Sequence, residues 1–472
     1  QQLRAHIAVL ASDEFAGREP GTAGDAKATS YISEQWQKAG LKPAAHDGSW
    51  LDPVQLVRRK PETTDVQFFA RSEKLRFADD ELVLVSREPD YAKEKLPLWF
   101  AGYGINADGK VSGDVAGKVV LFLADRPAFG PDDMRPVRAR REALVAAGAE
   151  AVIAVGGEQA EYPLIRRQLL SRPIYLVSQE KRAAVEGVVG ARFAVAMVTA
   201  AGGDWDKLRK SADDSSYQGA ALGITGNFKV QTDVNAFVSH NVIGKVAGKK
   251  PGSGAVLFMA HWDHLGLCRP EGEPDRICNG AVDNASGIAV LTEIGRGLAK
   301  SRPDRDIYFL ATTAEESGLY GAHAFAENPV VPLDTIVVAM NIDTIAVAPR
   351  GSKVAIIGRG NAAIDTVIET VAKKAKRRVE TTDEADDFVR RQDGWALAQK
   401  GVPAVMLGSA FADMALTEKF LSGDYHGPED ELRPDTQLGG AVDDAMLHIE
   451  LGKYFGSLKK FPVPKPANKT GG

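Results

Sequence analysis

Cysteine is scarce in this chain: Cys268 and Cys278 are the only two among 472 residues. That excludes a disulfide-dense scaffold and an all-cysteine metal knuckle. Lying in one loop, the pair either closes a small ring, which would imply an oxidising compartment, or stays as two free thiols. Neither is favoured as a zinc ligand, because the polar residues nearby are carboxylates and imidazoles. Long apolar runs are missing as well. The longest apolar window, 143–157, is broken by Glu150 and by glycines and is too short to span a bilayer.

An excess of one charge is also lacking, with 58 Lys and Arg against 63 Asp and Glu and a net charge of −5. No basic block argues for nucleic acid. The run KKAKRR at 373–378 continues a helical pattern and reads as a solvated helix end near a favourable C-terminal dipole. No internal repeat is visible. The chain opens on Gln1, so targeting is not directly readable, and nothing specifies an oligomeric state.

What remains is an ordinary globular composition, 44% hydrophobic and 26% charged, on a length that predicts two or three domains. A turn-rich opening, EFAGREPGT (14–22), leads into a helix from Asp25, with Ala28, Ile32, Trp36 and Ala39 on one face and Gly40 as its stop. Between 63 and 225 short strands are expected, one of them at 193–198, with an alanine-rich helix near 137–147; this reads as an inserted small α+β module. From 226 to 461 the pattern is α/β. Apolar runs at 256–260, 307–311, 335–340, 354–357 and 404–407 alternate with helical patterns at 286–299, 320–328, 362–376, 394–400 and 436–461. Residues 1–62 would join this second part, and the Pro/Lys/Gly-rich end, 462–472, reads as a disordered tail.

The chemistry gathers in AHWDHLG…ICNGAVDNASG, from Ala260 to Gly287, between an apolar strand and a helix start. His261 and Asp263 end the strand, and Asp283 precedes the helix. Glu315 and Glu316 follow the next strand, Asp343 ends another, and His426 lies in a late loop. Function in open α/β sheets collects outside the carboxyl ends of the strands. Singly, each residue has an ordinary explanation: a satisfied polar group, a surface acid pair, a helix cap. Together they suit two divalent cations about 3.5–4 Å apart. Asp283 would bridge, His261 and Asp343 would complete one site, and Glu316 and His426 the other. Glu315, next to a ligand in an extended segment, would point to the other side as general base on the bridging water. Asp263 would orient His261.

The order H-x-D, D-N-A-S-G, E-E, N-x-D and Y-H-x-P-x-D resembles the co-catalytic dizinc aminopeptidase family, which includes glutamate carboxypeptidase-like and glutaminyl cyclase-like branches. FAGREPGT is similar to its bacterial members, and WFAGYGI, DVAGKVVLFL and AAGAEAVIAV resemble the protease-associated domain that many of them carry. The resemblance implies a mixed central sheet flanked by helices, of zinc exopeptidase type, with a protease-associated domain inserted at 63–225. It implies two zinc ions held by His261, Asp283, Glu316, Asp343 and His426. Glu315 is then the base and Asp263 the partner of His261. A cis peptide after Asp283 is implied too, with a structural hydrogen bond for His264 and Asp430 as an outer partner of His426. Export to the periplasm or outside the cell also follows from the resemblance.

One stretch departs from the family. Where Ser-Asp-His is common, this chain has Gln392, Asp393, Gly394 and Trp395. Trp395 either lines an apolar pocket or is core beside Leu397. The activity implied is zinc-dependent hydrolysis of N-terminal residues from peptides, with carboxypeptidase or dipeptidase action on the same scaffold as the nearest alternative. Glutaminyl cyclisation and a non-catalytic receptor-like role are disfavoured, because all five ligand positions are filled.

Overall fold

The computed structural model describes residues 1–472 except 76–81, 157–165, 167–169, 171–173, 180–181 and 463–472. The expected tail therefore lies, from 463 on, outside the described residues. Backbone packing divides the chain into two compact units, Gln1–Gln55 with Val238–Gly472, and Leu56–Phe237. The second unit is wider than the 63–225 module expected, and its limits fall inside long strands, Leu51–Ala70 and Ala220–Val246.

The first unit is built on a mixed sheet. Strand Ala255–His261 lies parallel to Asp306–Thr312 on one side and to Ile336–Asn341 on the other, and Ala404–Gly408 continues the parallel set. Ala355–Ile357 closes one edge antiparallel, and on the other side residues 242–246 pair antiparallel with 307–311 and with Lys42–Pro43. Strand Ala255–His261 is buried along its whole length, as a strand covered on both faces must be. Its alternate residues divide between two cores: Val256, Phe258 and Ala260 face one cluster, and Ala255, Leu257 and Met259 the other. Helices Gln2–Leu10, Ala23–Ala39, Ser286–Leu298 and Gly439–Phe455 supply the first cluster, and Tyr320–Glu327 the second. Thr22 caps the second of these helices through its hydroxyl, and Gly40 ends it in the left-handed conformation, as its position suggested.

The second unit has parallel strands Asp90–Phe100, Val119–Leu123, Ala151–Gly156 and Val185–Gly190, with Val83–Ser86 antiparallel at one edge. Here one expectation fails. Residues 193–198 belong to a helix, Ala191–Ala200, rather than a strand. Phe193, Ala194, Met197 and Val198 form its buried stripe. That spacing is helical, and the flanking alanines tolerate it, so tertiary burial outweighs the β-propensity of the valines. Among the described residues no helix is long and apolar enough to cross a membrane.

KKAKRR is the exposed helix end expected, except at Arg377. The helix ends at Lys374, and Arg377 turns inward to donate to Asp444 at 2.8 Å. Asp444 also accepts from the amide and hydroxyl of Ser409 at 2.8 and 2.6 Å. One turn further along, His448 Nδ1 donates to the Asp444 carbonyl at 2.7 Å, while its Nε2 is buried without a hydrogen bond. Burial, aided by the Arg377 charge, holds the His448 pKa down to about 4 from 6.5.

Below pH 6.5 the unfolded histidine takes up a proton that the folded one refuses, so stability is lost as pH falls from 6.5 towards 4. The slope expected from this one site is about 1.4 kcal/mol per pH unit. Urea unfolding of the wild type and of His448→Gln across this range should show the variant losing that part of the slope. Identical slopes would contradict the assignment.

Candidate metal centre

The parallel register puts the functional residues on one edge. His261 pairs with Thr312, and Met259 with Asn341, so their strands end together. Glu315 and Glu316 then follow Thr312 in a turn, and Asp343 follows Asn341. Asp283 comes from the turn before helix Ser286–Leu298, and His426 from the loop after helix Met414–Ser422. Several non-glycine residues here have φ in the left-handed region: Ala314 at 52°, Thr344 at 50° and His426 itself at 58°. Such conformations cost free energy and persist where surrounding structure over-determines them.

The DNASG turn explains its own sequence. Asn284 Nδ2 donates to the Ile342 carbonyl at 3.0 Å, which ties the turn to the Asp343 strand. Asn284 Oδ1 accepts from the Gly287 amide at 2.9 Å, and Ser286 Oγ donates to the Val282 carbonyl at 2.7 Å. The Asp283–Asn284 peptide is cis, as the resemblance implied. Gly280 has φ 57°, and a Cβ there would stand 2.1 Å from the Asp283 carbonyl oxygen.

All seven expected residues meet. Asp283 turns one oxygen to each imidazole: Oδ1 lies 3.1 Å from His261 Nε2, and Oδ2 lies 3.4 Å from His426 Nε2. Asp343 Oδ1 is 3.5 Å from His261 Nε2, and Glu316 Oε2 is 2.9 Å from His426 Nε2. Glu315 Oε2 stands 3.9 Å from His261 Nε2. Ligand-capable atoms of His261, Glu315 and Asp343 fall within 4.8 Å of one another, and so do those of His264, Asp283 and Glu316. Glu315 thus falls with His261 and Asp343, on the other side from its neighbour Glu316.

Two supporting carboxylates bond elsewhere than expected. The Asp263 carboxylate is 3.8 Å from His261 Nδ1, which instead meets the Asp263 backbone carbonyl at 3.2 Å. The carboxylate accepts from the amides of Glu315 and Glu316 at 3.1 and 3.4 Å, and so fixes the turn that carries both acids. Asp430 accepts from the amides of Val282 and Asp283 at 2.9 and 3.0 Å. His264 makes the expected hydrogen bond, donating from Nδ1 to Glu316 Oε1 at 2.8 Å. Trp395 is half-buried with the Arg390 guanidinium 5.3 Å from its ring centre, and is not part of the core that holds Leu397. Cys268 and Cys278 are joined in a disulfide.

Two neighbours escaped the sequence reading. Asp393, fully buried, accepts a short hydrogen bond from the Thr312 hydroxyl, and its Oδ1 has no partner. Its signal was an acid at a helix start in the departing stretch. Tyr425 stacks on His426 with ring centres 3.6 Å apart.

Burial and mutual repulsion perturb these acids. Burial raises Asp263 to about 7, Asp430 to about 7 and Asp393 to about 6. Glu315 rises well above 4.5, chiefly through burial, with Glu316, Asp393 and Asp343 adding to the shift. Asp283 goes the other way, to about 2: burial and Glu316 push it up, and its two histidines outweigh them. His426 rises to about 9, since Glu316 and Asp283 overcome the burial that would lower it. Buried carboxylates crowded around imidazoles are a donor set for divalent cations. His261 Nε2, buried among three carboxylates yet without a well-directed hydrogen bond, fits a metal ligand better than a structural histidine.

Residues 241–449 match the profile of Peptidase family M28. This stretch is similar to peptidase family M28. Over 104 residues the chain is 31% identical to a vacuolar membrane protease of Schizophyllum commune, covering 22% of this chain and 10% of that protein. Over 201 residues it is 28% identical to a probable zinc metalloprotease of Pyricularia oryzae, covering 39% and 37%. The chain thus spans about a tenth of the length of the first of these relatives and little over a third of the second. The fold is similar to that of an aminopeptidase from Aneurinibacillus sp. strain AM-1, with TM-score 0.58, 19% identity and coverage of 96% of this chain and 93% of that one. It is also similar to a zinc aminopeptidase of Bacillus subtilis, with TM-score 0.52, 17% identity and coverage of 96% and 94%.

Within the M28-like stretch, Asp430 holds the Asp283 turn by two amides. Asp430→Ala leaves both buried amides unmatched and should lower unfolding stability by about 2–4 kcal/mol. Asp430→Asn, which keeps one acceptor, should cost less. Denaturant titration checks the ranking, and an Asp430→Ala variant as stable as the wild type would contradict the role.

Proposed function

We propose that this protein is a zinc-dependent peptidase acting as an aminopeptidase on peptides, with two metal ions. The observation that carries the reading is the placement of Asp283, one oxygen towards His261 and the other towards His426. Asp343 and Glu316 flank the two ends. His261, Asp283 and Asp343 would hold one ion, and Asp283, Glu316 and His426 the other. Zinc would supply Lewis acidity, polarising the scissile carbonyl and acidifying the attacking water.

The chain's own groups do the rest. Glu315 would take a proton from the attacking water and deliver it to the leaving nitrogen as the C–N bond breaks. The Tyr425 phenol is pushed well above 10 by burial and by Asp283, Glu316 and Glu315, so it stays protonated. It can donate to the carbonyl oxygen as negative charge develops there. The names of the two structures of similar fold, both aminopeptidases, support N-terminal specificity. The disulfide supports export to an oxidising compartment, periplasmic or extracellular.

The test pairs aminoacyl chromogenic substrates with their N-acetylated twins, with and without chelator. Chelator-sensitive cleavage that vanishes on acetylation is the expected result. Cleavage of blocked peptides, or only at a free carboxyl end, would replace aminopeptidase by carboxypeptidase action. Glu315→Gln should lower kcat by at least about 100-fold while zinc content is retained; unchanged turnover would remove Glu315 from the mechanism.

A further inference from the structure

The segment Asp13–Arg18, which leads into the EFAGREPGT motif, is far in sequence from every candidate ligand, yet it is built into their loops. Arg18 is fully buried. Its Nε donates to the Trp262 carbonyl at 2.7 Å, Nη1 to Asn279 at 2.6 Å, and Nη2 to Gly280 at 2.9 Å. Nη1 also reaches the Leu10 carbonyl. Trp262 follows His261 directly, and Asn279 and Gly280 begin the turn that presents Asp283. The Arg18 carbonyl in turn accepts from the His264 amide at 3.4 Å.

The neighbouring residues make the fit close. Gly17 has φ 69°, and a Cβ there would lie 2.5 Å from the Cys278 carbonyl oxygen and 2.8 Å from Gly266 Cα. Asn279 Nδ2 donates to Asp13 Oδ1 and to Glu431 Oε1, both at 2.7 Å, which links the motif to the loop that follows His426. A guanidinium that spends its donors on neutral carbonyls keeps its charge uncompensated by contact, so that charge acts through space on the acids of the site. Burial lowers the Arg18 pKa only to about 10, opposed by Asp430, Asp263, Asp283 and Glu316, so it is a cation at neutral pH.

We propose that Asp13–Arg18 is a brace for the metal centre, with Arg18 as a positioning residue that locks the His261 and Asp283 loops in mutual register and thereby sets zinc affinity. The proposal rests on the zinc reading above. It differs from simple stabilisation, because a buried arginine that only holds the fold together would not act selectively on the metal.

Arg305 provides the control. It is likewise fully buried and donates to the carbonyls of Ser253, Phe455 and Phe461, but it precedes strand Asp306–Thr312 and so stands at the end away from the ligands. Zinc affinity, measured by competition with a chromogenic chelator, and urea stability are compared in the wild type, Arg18→Lys and Arg305→Lys. Both variants should lose stability, and Arg18→Lys alone should weaken zinc binding, by about tenfold or more. Equal zinc affinity in Arg18→Lys and the wild type would overturn the brace while leaving the zinc reading intact. A wild type that binds no zinc would overturn both. Should Arg18→Lys fail to fold, Asp13→Ala at the exposed end of the brace takes its place: weakened zinc binding with stability near the wild-type value supports the proposal, and unchanged binding overturns it.

Discussion

The loops around the candidate metal centre answer to the crowding of negative charge at one sheet edge. Asp263, Asp283, Glu315, Glu316, Asp343 and Asp393 are gathered at the ends of parallel strands that are buried on both faces. Ionised carboxylates at such separations repel, and burial removes the water that would screen them. The chain meets this by placing His261, His264 and His426 between the acids, by turning backbone amides onto Asp263 and Asp430, and by burying Arg18 behind the loops. These measures are incomplete, since several of the acids still lie far above their ordinary pKa values. A divalent cation is the natural remaining compensation.

The sheet makes this concentration possible without unfolding itself. The strands are apolar until their last residue, so their polar ends emerge together where register brings them. The turns that follow are held by short-range hydrogen bonds from Asn284, Ser286, Asp263 and Asp430. Positive φ values at Ala314, Thr344 and His426 show the backbone bent to aim side chains, not merely to connect elements.

Much of this was legible in the sequence for a simple reason. Strand-terminal acids and histidines are one or two residues from an apolar run, and the run itself is hard to misread. The strands and helices around the site accordingly fall close to the expected ranges, and all the candidate ligands converge. What stayed hidden depends on which atom of a residue is used, or on distant pairing. Asp263 bonds to His261 through its carbonyl and spends its carboxylate on the next turn. Asp430 serves the Asp283 turn from 147 positions away. Arg377 hides in a run of lysines and arginines because its acid partner belongs to the last helix. The stretch 193–198 is ambiguous in sequence because Phe, Val and Met suit a strand and a buried helix alike, and only the burial pattern decides. The disulfide was equally open until the loop brought its cysteines together.

The central claim is that this edge is a two-ion centre organised by Asp283. Native mass spectrometry of chelator-stripped protein titrated with zinc tests it most directly. The account predicts two ions per chain in the wild type and loss of both tightly bound ions in Asp283→Ala. A single ion in the wild type, or an Asp283→Ala chain that still binds two, would contradict it.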